Sequence, residues 1–279
     1  MSADNTARRR GAPGDPVFVK RVVSALVLAP VAILLVWAGG TAFSIFVAAF
    51  AAAMAWEWVR MSDRAAPPRA FAIATGAAVG AALLAGQGEP LWTLAWIAGG
   101  AVCAGLDRRR RGRALDAMIG AAYVAGAAAM LVSLREGEQG GLTAVLFLLA
   151  VVWAADTFAY LAGSWIGGPK LLPAASPNKT WAGLAAGLIC GTAAGAGVAA
   201  LVGFDPVYAA MVALPTALAA VMGDLAMSLA KRRFGVKDAG DLIPGHGGVL
   251  DRVDALMLAV LFAGAWRALG PDGWPGAGL

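Results

Sequence analysis

The chain has 279 residues, of which 60% are apolar and only 14% charged, with a mean hydropathy of +0.72. That composition excludes an ordinary water-soluble globule and points to a polytopic all-α membrane protein. The formal charge of +5 and pI near 9.6 could suit nucleic acid. The basic residues, however, fall in short loops beside apolar runs, without an aromatic or helical reading surface, and anionic lipid headgroups explain them better.

Residues 1–21 contain Asn, Arg, Gly and Pro and form no apolar run, which predicts a disordered cytoplasmic tail without a signal-peptide cleavage pattern. A membrane span needs about 20 mostly apolar residues. Nine candidates follow in chain order, at 22–39, 41–58, 70–87, 91–106, 115–134, 141–163, 182–202, 207–229 and 252–269. Their alanines and glycines suit close helix packing in lipid. With the N-terminus inside, the inner segments hold every one of the 22 lysines and arginines except Arg135 and Arg267. This segregation follows the cytoplasmic bias of basic loops and argues for nine spans, N-in and C-out. The organisation expected is a tail, N-terminal helices over 22–139 and a C-terminal catalytic region over 140–279. Cys103 and Cys190 lie inside apolar spans and carry no metal or disulfide spacing.

Two inner loops differ from the others. One runs from Gly163 to Thr180 and contains GGPKLLPAASPNKT; the other joins the last two spans, from Lys231 to Arg252. Overlapping it, Lys237 to Asp254 concentrates four aspartates, Lys237, Arg252 and the only histidine, His246. A carboxylate at membrane depth costs several kcal/mol unless it faces a polar cavity, pairs or binds a cation. Asp156 falls within one span, Asp224 near the inner end of another, and Asp251 and Asp254 open the last at i and i+3, on one helical face. Converging carboxylates are the oxygen ligands that Mg²⁺ prefers. Plainer readings exist: Asp254 as a helix-dipole partner, Asp251 in a surface pair with Arg252, and Asp156 satisfying a neighbouring helix.

The segment Pro244 to Gly248, PGHGG, offers glycine turns and backbone amides for an anion just before a helix start. His246 alone assigns no general base. In the first loop, Ser176 could cap a turn and Lys179 supply a point charge for phosphate; the plainer reading is a helix-entry loop with a snorkelling lysine. No Walker A, dinucleotide fingerprint, zinc-protease or hydrolase-elbow motif is present in the sequence.

Ser228, Lys231, Arg232, Lys237, Asp238, Pro244 to Gly248, Asp251, Arg252 and Asp254 resemble, without a gap, the C-terminal pattern of the phosphatidate cytidylyltransferase family, also called CDP-diacylglycerol synthases. The resemblance continues upstream through Asp156, Thr157, Ala159, Tyr160, Gly163, Gly167, Lys170, Leu171 and the SPNKT segment. One position departs: the family usually carries a glutamate two residues after the threonine of S-P-x-K-T, where this chain has Ala182.

The resemblance implies transfer of CMP from CTP to phosphatidate, with Mg²⁺, a candidate K⁺ beside it and a homodimer in the bacterial inner membrane. It implies catalytic roles for Asp224, Lys231, Lys237, Asp251 and Arg252, with Asp224 and Asp251 as principal metal ligands and Asp254 as a further one. Substrate contacts are implied for Asp156, Ser176, Lys179, Thr180, Ser228, Arg232, Asp238, Gly245, His246, Gly247 and Gly248. Competing expectations are a CTP-dependent lipid kinase, a cytidylyltransferase for another anionic lipid and, from a different class, an ion-coupled transporter.

Overall fold

The computed structural model describes residues 30–137, 140–243, 247–270 and 274–275. The tail 1–21 and residues 22–29 of the first predicted span, with Pro244, Gly245 and His246, therefore lie outside the described residues. Eight long helices follow a short helical stretch at 30–38: α1 (Gly40–Ser62), α2 (Pro68–Ala85), α3 (Pro90–Arg108), α4 (Ala114–Glu136), α5 (Gly141–Trp165), α6 (Trp181–Leu201), α7 (Pro206–Arg233) and α8 (Leu250–Leu269). Six of them, all but α3 and α8, are long and apolar enough to cross a membrane. The molecule is an all-α integral membrane protein.

Sequence punctuation sets the helix ends. Pro68, Pro90 and Pro206 open α2, α3 and α7, where a missing N–H costs nothing. Asp205 Oδ1 caps α7 by accepting the Val207 N–H at 2.9 Å. The break between 30–38 and α1 needs positive φ at two successive positions, 63° at Gly39 and 61° at Gly40. The backbone groups freed there are taken by α4: Arg135 donates to the carbonyls of Val36 and Trp37, and Glu136 accepts the Gly40 N–H at 2.8 Å.

Helices α1 to α4 pack together as one group, while α5, α6 and α7 form a second; α8 lies against α4 and α7 and joins the two. Among the described helices, α5 and α6 make the most extensive contact. Gly183, Gly187, Gly191 and Gly195 make a buried row on α6, and a Cβ at Gly187 would sit 2.8 Å from the Ala155 carbonyl oxygen. Such rows let backbones approach where lipid supplies no hydrophobic drive for association.

The first inner loop is more ordered than its composition suggests. Lys170–Leu172 (β1) and Ser176–Thr180 (β2) pair antiparallel, with Lys170 opposite Thr180 and Leu172 opposite Ser176. Ser176 is therefore a strand residue rather than a turn cap, and Thr180 takes the capping role, its Oγ1 accepting the Gly183 N–H at 3.1 Å.

Candidate active site

The two singular loops meet at one end of the helices. β2 delivers Lys179, whose Nζ donates to Asp224 Oδ2 on α7; Ser228, one turn later, donates to Asp224 Oδ1 at 3.4 Å. A further turn along the same helix, Lys231 Nζ lies 2.8 Å from Asp251 Oδ1 and 3.6 Å from Asp254 Oδ2 on α8. The i, i+3 spacing predicted to place both aspartates on one face thus brings both to one ammonium group. Asp156 on α5 is within electrostatic range of Asp224, Lys179 and Asp254. Four acids and two lysines from α5, β2, α7 and α8 form one continuous polar cluster.

Around this cluster, Arg232, Lys237 and Arg252 are exposed and form no ion pair among the described residues. Asp238 and Lys170 are exposed as well. Arg232, Lys237 and Arg252 thus carry charge that no described acid pairs with, which is the electrostatic requirement for gathering phosphates.

Several expected contacts are placed differently. Thr180 is 2% exposed, and its hydroxyl oxygen accepts the amide that caps α6. Asp251, expected as a principal metal ligand, has its oxygens engaged: Oδ1 by Lys231, and Oδ2 by the backbone N–H groups of Ala239 at 2.9 Å and Gly248 at 3.1 Å. Of the Pro244–Gly248 amides expected to contact phosphate, that of Gly248 is taken up within the protein, as are the two amides that follow it. Gly248 donates to Asp251, while Val249 and Leu250 donate to Glu57 at 2.9 and 2.8 Å. The Ile243 N–H donates to the Gly247 carbonyl at 2.9 Å.

Glu57 escaped sequence reasoning. It is the only acid in α1 and is 1% exposed, and the signal available was a lone carboxylate in an otherwise apolar span.

Does the cluster fit Mg²⁺? Among the described residues no three acid, histidine or cysteine side chains are close enough to hold a metal by themselves. That agrees with the habit of Mg²⁺, which takes one or two carboxylates and completes its shell with phosphate and water. Asp224 and Asp254 fit that requirement best. Their protein contacts are to lysines, Ser228 and one adjacent amide, and their side chains are 25% and 15% exposed.

The fold and site together are those of an integral membrane protein that gathers acids and lysines from four elements into one charged cluster. The sequence profile of the cytidylyltransferase family matches residues 19–269, and the chain belongs to that family. It is similar to phosphatidate cytidylyltransferase from Brucella abortus, 40% identical over 243 residues that cover 86% of this chain and 89% of that relative. Shorter matches carry the same name: Rickettsia bellii, 40% identical over 41% of this chain and 53% of the relative, and Haemophilus influenzae, 42% identical over 44% of each.

Proposed function

We propose that this protein transfers CMP from CTP to phosphatidate, giving CDP-diacylglycerol and pyrophosphate. The observation that carries this reading is the paired lysine and aspartate cluster of α7, α8 and β2, with the exposed Arg232, Lys237 and Arg252 on the same and adjoining segments, in a chain that matches cytidylyltransferases over nearly its whole length.

The reaction needs no activated serine, because the phosphatidate phosphate is already an oxygen nucleophile. It attacks the α-phosphorus of CTP; the bond from that phosphorus to the oxygen bridging to the β-phosphate breaks, and pyrophosphate leaves with the electron pair. The obstacle is bringing two polyanions together, so positioning and charge neutralisation do most of the work. Arg232, Lys237 and Arg252 gather the phosphates. Lys179 and Lys231 can pass from their aspartates to phosphate oxygens, since a lysine on a flexible stem changes partner more readily than a forked arginine. Asp224 and Asp254 would hold Mg²⁺, which when bound offsets the phosphate charge and stabilises the leaving group. Asp251 organises the loop and places Lys231. Asp156 orients Lys179, with K⁺ a candidate companion cation beside these acids. Ser176, Asp238 and the Gly245–Gly248 segment with His246 line the nucleotide side of the same reading. Ala182 leaves the entrance to α6 without a carboxylate at that position.

The same reading includes nine spans with the N-terminus inside and a cytoplasmic active site in the bacterial inner membrane. The placement of Arg135 and Arg267 supports it. Arg267 Nη1 reaches the Ser133 carbonyl, so these two arginines meet at the end of α4 opposite the one that faces α7 through Arg233 and Asp116. CTP then arrives from the cytoplasm, and phosphatidate enters sideways between helices with its acyl chains left in the bilayer. The reading carries with it a homodimer through the membrane helices, which cross-linking of the detergent-solubilised protein tests.

The deciding experiment supplies purified protein with phosphatidate, Mg²⁺ and CTP labelled at both the α-phosphate and the cytosine ring. Both labels enter lipid with release of pyrophosphate if the reading holds. Transfer of only the γ-phosphate would identify a lipid kinase, and no lipid labelling across several anionic lipids would overturn cytidylyl transfer.

A further inference from the structure

The start of α8 carries the residues on which the proposed reaction depends, yet it has no side-chain cap of its own. Val249 occupies the capping position, where an apolar side chain can accept nothing. The cap comes instead from Glu57, 192 and 193 residues earlier in the chain: Oε1 accepts the Val249 N–H and Oε2 the Leu250 N–H. Both oxygens of one carboxylate are thus spent on consecutive amides, a bidentate clasp that fixes rotation and height of the helix start together. The negative charge also sits at the positive end of the α8 dipole.

The loop is shaped around this carboxylate. A Cβ at Gly248 would lie 2.8 Å from each Glu57 oxygen and 2.7 Å from the Gly240 nitrogen. A Cβ at Gly240 would lie 2.7 Å from the Glu57 Cδ. These two glycines are needed because the acid fills the space a side chain would take. Immediately beyond the clasp, Gly248 and Ala239 donate to Asp251, and Asp251 and Asp254 hold Lys231. Glu57 therefore stands at the head of a continuous chain of contacts: from α1 to the start of α8, from there to Asp251 and Asp254, and from them to the lysine of the cluster.

We propose that Glu57 is a positioning residue for CMP transfer, holding Gly240, Gly248 and the start of α8 so that Asp251, Asp254 and Lys231 stand in reactive register. The assignment rests on the cytidylyltransferase reading above. Glu57 is buried against protein and touches no substrate; it acts through α8. Its loss misaligns groups that matter in the transition state, and such a loss lowers turnover more than it weakens substrate binding. A merely structural cap would lower thermal stability and the yield of folded enzyme while each folded molecule kept its turnover.

The test compares wild type, Glu57→Gln and Glu57→Ala in detergent, with kcat and KM for both substrates expressed per folded molecule, alongside hydrogen exchange of the 237–250 segment. In Glu57→Gln one oxygen still accepts an amide, but the new NH₂ group opposes the other N–H, so exchange at Val249 and Leu250 rises. We expect kcat to fall about tenfold or more, while KM stays within about twofold. Should Glu57→Ala fail to fold, Gly240→Ala pushes on the same carboxylate from the other side with one methyl group and is expected to give the same loss of kcat. Wild-type kcat in Glu57→Gln or Gly240→Ala, with only stability changed, would overturn the positioning role and leave the cytidylyltransferase reading standing. A wild-type enzyme that transfers no CMP would overturn that reading and the assignment with it.

Discussion

Around the start of α4, aspartates are gripped by arginines; around the start of α8, they are held by lysines. In the first cluster Arg108, with a side chain 3% exposed, pairs with Asp63, which Arg111 also reaches at 3.3 Å. Asp107 meets Arg69 and Arg108, and Asp116 meets Arg233 at 2.7 Å and Arg113 at 3.5 Å. Trp58 adds an indole N–H to the Asp116 carbonyl at 2.9 Å. In the second cluster Asp224, Asp251 and Asp254 face Lys179, Lys231 and Ser228, with Arg232, Lys237 and Arg252 exposed around them. The guanidinium fork locks a carboxylate geometrically, whereas an ammonium group is a point charge that can exchange partners. One cluster ties loops and helices together; under the proposed function the other exchanges its partners when substrate arrives.

The contrast is broken most severely at Lys231. Lys231→Met leaves Asp251 and Asp254 facing each other without a cation, and CMP transfer per folded molecule is expected to fall about 10²- to 10³-fold, the scale seen when a key electrostatic group is removed. A stability effect without this loss would place Lys231 with the structural cluster instead. In the α4 cluster the expected effect is large but of the other kind. Asp63→Ala removes the nearer partner of the buried Arg108 guanidinium, leaving Asp107 at 3.6 Å, and should destabilise the protein by about 3 kcal/mol, measured as the unfolding midpoint in detergent, while turnover per folded molecule stays within about twofold. Arg252→Ala removes an exposed cation and is expected to raise KM for CTP about tenfold, equivalent to about 1.4 kcal/mol, with an unchanged midpoint. At the small end, Arg60 and Asp241 form a 3.5 Å pair whose side chains are 61% and 80% exposed. Asp241→Ala should shift neither activity nor stability measurably, since such pairs are worth about 0–1 kcal/mol.

Much of this organisation could be read from the chain. The predicted spans from 41–58 to 252–269 each fall on a helix, because Pro and Gly mark the breaks and basic residues flank the apolar runs. The acids that converge were also visible, since a charged residue at membrane depth demands a partner. Which partner it takes was not visible. Lys179 meets Asp224 across 45 residues, and Glu57 meets α8 across more than 190. Nothing local specifies either pairing, which depends on how α1, α7 and α8 pack. The SPNKT segment misled for a related reason. Its serine and threonine suit a turn or a ligand, and only pairing with Lys170–Leu172 makes it a strand whose last residue caps α6. The start of α8 had a similar ambiguity: amides there suit an anion, and those of Gly248, Val249 and Leu250 find the protein's own Asp251 and Glu57.

The central claim is that the lysine-held aspartates serve the reaction. Its most direct test is the rate of Mg²⁺-dependent CMP transfer by Asp224→Asn, normalised to folded, membrane-inserted protein. The isosteric amide keeps the side chain's shape and removes its charge. The account predicts a fall of at least about a hundredfold with the unfolding midpoint near wild type. Turnover within a fewfold of wild type would contradict it and remove Asp224 from the site.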